Sequence, residues 1–161
     1  MSEQKTLQQI EWSGEISYAH IIHTNFKSLC YGLHGHNAEI HVMVLGEVND
    51  DGMIIDFKKL KELVHEYDHK FLVPGNVIVL QNLTVSIIVE GNTLLQMPKY
   101  YSDFCLKELA AGTEVATSEY LSKELAEKIL YSQENIMMVE ITWSETKNSM
   151  ASYTAKKSGV K

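Results

Sequence analysis

The sequence predicts an α+β domain, an antiparallel sheet with two helices on one face, in the order strand, strand, helix, helix, strand, strand. Three patterns carry that prediction. Two long N-terminal stretches alternate apolar and polar residues, two later stretches repeat apolar residues at helical spacing, and a C-terminal pair alternates again. Residues 74–115 interrupt this order as an insertion rich in short β-like runs.

In residues 10–20, Ile10, Trp12, Ile16, Tyr18 and His20 share one parity, and Glu11, Ser13, Glu15 and Ser17 share the other. That is the signature of a half-buried strand. A second strand spans about 37–48, with Ile40, Val42, Val44 and Val48 on its apolar parity and Glu39, His41 and Glu47 opposite. Asn49, Asp50, Asp51 and Gly52 form a turn. Asp56 then reads as the N-cap of a helix whose inner stripe is Phe57, Leu60, Leu63, Val64 and Tyr67.

Within the insertion, residues 77–80, 85–89 and 93–97 read as short strands, with Glu90, Gly91 and Asn92 as a hairpin turn. Residues 100–110 accommodate a turn or two of helix. The second amphipathic helix begins near Thr117 or Ser118 and turns Leu121, Leu125, Ile129 and Leu130 inward. A strand over 135–144 follows, with Met137, Val139, Ile141 and Trp143 on one parity, and a short strand covers 151–155. The whole chain, 1–161, thus reads as one domain, ending in a flexible tail over 156–161.

Composition narrows the function. The chain has 14 basic and 21 acidic residues, a net charge of −7, which argues against binding nucleic acid or an anionic membrane. Every basic residue is lysine, so no guanidinium fork is available. The N-terminal ten residues lack the apolar run of a signal peptide, no stretch is long enough to span a bilayer, and there are only two cysteines. The expectation is a cytoplasmic protein. All seven histidines fall between residues 20 and 69.

His34 and His36 stand two residues apart in extended chain, so their side chains point the same way. They share parity with the apolar face of the strand that follows, and His20 shares it on the first strand. Three imidazoles converging from neighbouring strands make a three-histidine Zn²⁺ site with an open fourth position, the catalytic arrangement. Cys30 is either a thiolate activated beside that cation or a small buried residue. Asp68 and His69 are either a carboxylate–imidazole relay or a chance pair at a helix end. Glu145 continues the apolar parity of its strand, which suits either a carboxylate awaiting a ligand's N–H donors or a strand-end residue reaching solvent.

Taken together, several pieces resemble the 6-pyruvoyltetrahydropterin synthase / 6-carboxytetrahydropterin synthase family. They are Ser17-Tyr18-Ala19-His20, Cys30-x-x-x-His34-Gly35-His36-Asn37 and Gly52-Met53-Ile54-Ile55-Asp56-Phe57, then Asp68-His69, Thr117-Ser118-Glu119 and Trp143-Ser144-Glu145-Thr146 with Tyr153. The resemblance implies the tunnelling fold (T-fold), whose subunits close their sheets into a trimeric barrel, two of which stack as a hexamer. It implies Zn²⁺ on His20, His34 and His36 and makes Cys30 the general base. Asp68 and His69 assist the base, usually from a neighbouring subunit. Glu145 becomes the anchor of the pterin ring, with Thr117 and Ser118 also on the substrate.

The implied substrate is 7,8-dihydroneopterin triphosphate. The short Cys-x-x-x-His-Gly-His spacing resembles the branch that releases triphosphate and acetaldehyde to give 6-carboxytetrahydropterin, on the route to queuosine. The alternatives are the pyruvoyl-forming lyase and a non-catalytic zinc- or pterin-binding module. This chain departs from the family pattern at Tyr18 and Ala116, where alanine and proline are usual, and at Ala38, Tyr120 and the Lys70-Phe71-Leu72-Val73 run. A cupin motif is approached by His34-Gly35-His36 and Glu39, but the gap to the glutamate is one residue short.

Overall fold

The computed structural model describes residues 6–22, 30 and 32–159. Strands β1 (Leu7–His20) and β2 (His34–Glu47) pair antiparallel along their full lengths, from Leu7 opposite Glu47 to His20 opposite His34. Helix α1 (Phe57–His65) follows, started by Asp56, whose carboxylate accepts the Lys58 N–H at 2.8 Å. Next come β3 (Lys70–Val73), β4 (Ile78–Gln81), β5 (Thr84–Val89), β6 (Asn92–Pro98), α2 (Lys99–Cys105) and β7 (Leu106–Glu108). Helix α3 (Ser118–Leu130) and strands β8 (Ile136–Thr146) and β9 (Ser149–Lys156) complete the fold. Among the described residues these strands form a six-stranded sheet in the order β7-β3-β1-β2-β8-β9 and a three-stranded sheet in the order β4-β5-β6.

The alternation along β1, β2 and β8 decides which face is covered. Ile16, Ile40, Val42, Val44, Val139, Ile141 and Trp143 are buried against Leu60, Leu63 and Val64 of α1 and Leu121, Leu125 and Ile129 of α3. The polar parity, including Glu11, Glu15 and Glu39, faces away. The α+β class, the two covering helices and the β-rich insertion match the expectation.

Three features go beyond it. The main sheet is not wholly antiparallel: β3 runs parallel to β1, and β7 parallel to β3. Parallel neighbours need a crossover of a dozen residues or more, and β4, β5, β6 and α2 are that crossover between β3 and β7. The insertion is therefore laced into the sheet rather than hung from it. The strand β3 escapes a periodicity reading because both its faces are buried, Leu72 in the main core and Phe71 with Val73 in a second core with Val85, Ile87 and Met97. A third helix, α2, covers part of the stretch read as a turn or two. At the C-terminus, β9 reaches Lys156, and the Lys157 N–H donates to the Met137 carbonyl at 2.9 Å, where a loose tail was expected to begin. Residues 160 and 161 lie outside the described part.

One carboxylate staples the insertion to the helices. Glu124 on α3 accepts the buried Tyr67 hydroxyl at 2.9 Å and the Ala110 N–H at 2.7 Å. Burial and the facing Glu124 carboxylate both push the Tyr67 phenol well above its ordinary range, so it stays a donor. Glu124→Ala should lower unfolding stability by about 2 kcal/mol, because a buried hydroxyl is left without its acceptor. Urea denaturation reads this, and an unchanged midpoint would remove the staple from the account.

Candidate metal centre and ligand anchor

The register of β1 and β2 sets His20 opposite His34 and Tyr18 opposite His36, all on the core parity at one end of the sheet. One ring nitrogen each of His20, His34 and His36 comes within 4.8 Å of the other two, a spacing able to hold a metal ion. His20 is fully buried, and the other two are half-buried. The nitrogens His20 Nε2 and His34 Nε2 are 3.0 Å apart.

Backbone carbonyls fix the tautomers. His20 Nδ1 lies 2.6 Å from the Ala116 carbonyl oxygen, and His34 Nδ1 lies 2.8 Å from that of Gly32. A carbonyl only accepts, so each Nδ1 carries the proton and donates. In neutral rings both Nε2 atoms then present lone pairs to each other. Two facing lone pairs at that separation repel, and a cation between them removes the repulsion. Carbonyl partners on the far nitrogen are also the usual outer support of a metal-binding imidazole. Burial lowers the His20 pKa, which keeps its ring neutral and able to ligate. The donor set therefore fits a divalent metal of borderline softness.

Glu145 sits where β8 shifts register against β9, between Ser144 and Thr146. Its carboxylate still turns inward, accepting the Tyr18 hydroxyl at 2.7 Å, while the Trp143 indole N–H donates to the Tyr18 oxygen at 3.2 Å. Tyr18 thus stands between the histidines and the carboxylate, with its ring centroid 5.2 Å from that of His20 and 5.7 Å from that of His36.

Asp68 accepts the Ser17 N–H at 2.8 Å and lies 3.0 Å from His69 Nδ1. It also lies 3.5 Å from His65 Nδ1, giving that histidine a partner the sequence did not suggest. Burial works to raise the Asp68 pKa, and the Ser17 N–H with the His69 ring outweighs it, so the carboxyl lies below its ordinary range. His69 adopts the left-handed backbone region at φ 55° and is largely exposed. It lines, with His36, Lys70 and Phe71, a cleft of about 500 Å³ beside the histidines.

The Cys30 carbonyl accepts the Ile22 N–H at 3.1 Å, which places this half-buried residue just past the end of β1. His23 and residues 24–29 and 31 lie outside the described part. Thr117 is the N-cap of α3 without a side-chain capping bond, and Ser118 opens the helix. Both are half-buried, and the contact from this helix end to the histidines comes from the Ala116 carbonyl instead. His41, unassigned by the sequence, pairs with Glu11 at 3.4 Å on the polar face. No helix among the described residues is long and apolar enough to cross a membrane.

Comparison with known proteins agrees with this arrangement. Residues 9–156 match the 6-pyruvoyl tetrahydropterin synthase family. A Pyrococcus abyssi protein provisionally named 6-carboxy-5,6,7,8-tetrahydropterin synthase is 29% identical over 148 residues, covering 91% of this chain and 90% of its own. The 6-carboxy-5,6,7,8-tetrahydropterin synthase of Bacillus subtilis is 41% identical over 59 residues, 35% of this chain and 40% of its own. Among solved structures, the 6-pyruvoyl tetrahydropterin synthase of Plasmodium vivax superposes with a TM-score of 0.66 at 22% identity, over 94% of this chain and 99% of that one. Its Plasmodium falciparum counterpart gives 0.61 at 26% identity, with the same coverage. The fold is the T-fold of these enzymes, and the chain belongs to the 6-pyruvoyl tetrahydropterin synthase family of pterin lyases.

Proposed function

We propose that this chain is a zinc-dependent 6-carboxy-5,6,7,8-tetrahydropterin synthase acting on 7,8-dihydroneopterin triphosphate and releasing triphosphate and acetaldehyde, as in queuosine-type biosynthesis. The observation that carries the reading is the convergence of His20, His34 and His36 one ring's width from the inward-turned Glu145 carboxylate. The carboxy branch is favoured by the Cys30-x-x-x-His34-Gly35-His36 spacing and by the names of the sequence relatives.

In this reading His20, His34 and His36 hold Zn²⁺, whose Lewis acidity eases enolisation of the substrate side chain. Glu145 accepts the amino and N–H edge of the pterin ring and orients it. Cys30, as thiolate, takes and returns protons at the side-chain carbons. Asp68 fixes the His69 ring so that it can relay those protons, the pair serving a site at a subunit boundary. Thr117 and Ser118 line the substrate. With no arginine in the chain, the triphosphate is left to lysines and backbone amides or largely to solvent, and the pterin end and the zinc supply most of the binding. The assembly is a homotrimer or a stacked hexamer working in the cytoplasm.

Incubation of the zinc-loaded protein with 7,8-dihydroneopterin triphosphate, followed by mass detection, tests the reaction. The expected products, formed with water as co-substrate, are 6-carboxytetrahydropterin, acetaldehyde and triphosphate. The pyruvoyl product would move the chain to the other branch, and unconverted substrate would reduce it to a binding module.

A further inference from the structure

The side chain nearest in character to a ligand in this site is one of the protein's own. Tyr18 presents a planar ring among the imidazoles, and its tip carries a donor that rests on Glu145. An indole N–H only donates, so the 3.2 Å contact makes the Tyr18 oxygen the acceptor for Trp143. The one phenolic proton is therefore committed to Glu145 Oε1. Trp143 is fully buried and Tyr18 nearly so, and the chain of two hydrogen bonds runs from the core out to the half-buried Glu145.

A heterocycle with adjacent N–H and NH₂ groups is gripped best by two parallel hydrogen bonds, one to each carboxylate oxygen. One of those oxygens already has the phenol along its inward direction, and the ring behind it fills the way from the histidines to Glu145. We propose that Tyr18 sets the ligand affinity of this site by competing for the Glu145 carboxylate, so that a ligand takes both oxygens only when the phenol leaves. This rests on the pterin reading above. Each binding event then forfeits one charge-assisted hydrogen bond, the strong kind.

Tyr18→Phe removes the competing donor and keeps the ring. Neopterin fluorescence titration of the zinc-loaded protein should show about tenfold tighter binding than wild type, a ratio of the size one such bond gives. Glu145→Gln in either background should lose most of that binding. Tyr18→Leu, lacking both the ring and the hydroxyl, serves if the phenylalanine variant melts early, and it too should bind more tightly. Equal or weaker neopterin binding by a folded Tyr18 variant, with Glu145 still required, would overturn the competition and leave the pterin reading standing. Absence of neopterin binding in wild type and both Tyr18 variants would overturn the pterin reading and the competition with it.

Discussion

Replacing Cys30 by alanine should abolish turnover of 7,8-dihydroneopterin triphosphate while zinc content and neopterin affinity stay at wild-type values. The expected fall in kcat is about a thousandfold, in the range lost when a positioned acid–base group is removed. The split between chemistry and binding is what identifies the role. Cys30 lies just past the end of β1, on the segment leading to His34, and contributes no atom to the histidine triad. Removing its sulfur therefore leaves the three imidazoles and the Gly32 and Ala116 carbonyls that orient them. A structural cysteine would show the opposite pattern, a loss of stability with turnover per folded molecule retained. A rate within tenfold of wild type would remove Cys30 as the base. Cys30→Ser should recover little, since a serine hydroxyl does not ionise in the range open to a thiol.

The parts of this molecule that could be read from the sequence are those governed by one period and one buried face. β1 and β2 pair over fourteen residues each, and their alternation alone carries His20, His34 and His36 to one side. Asp56 marks the start of α1 because a side-chain cap is a local device. β3 stayed hidden, since a four-residue run buried on both faces has no alternation to detect. β7 is set by its partner β3 across an intervening sheet and helix, which no local pattern encodes.

The same division holds in the site. Glu145 was legible by parity and kept its inward direction although β8 shifts register there. Its bond to Tyr18 joins residues 127 apart in sequence, and neither end announces the other. The Ala116 carbonyl that fixes the His20 tautomer was invisible for a different reason. It is a main-chain atom, and every residue type supplies one. His65 is not on the apolar stripe of α1, and the turn that follows the helix brings Asp68 to within 3.5 Å of it.

His34→Ala should lower zinc affinity by more than about a hundredfold, because loss of an outer-shell partner alone costs ten- to a hundredfold. His34 is the better choice than His20 for this test. The His20 ring is fully buried, so its removal also opens a cavity beside the Ala116 carbonyl, and lost metal would be confounded with lost packing. His34 begins β2 and is only half-buried, which spares the core. Two measurements separate the outcomes. Metal analysis after dialysis should find about one zinc per wild-type chain and almost none in the variant. Thermal melts should show wild type gaining stability on zinc addition, because a ligand that binds only the folded state stabilises it, while the variant gains none. A variant that kept its zinc would remove His34 from the ligand set.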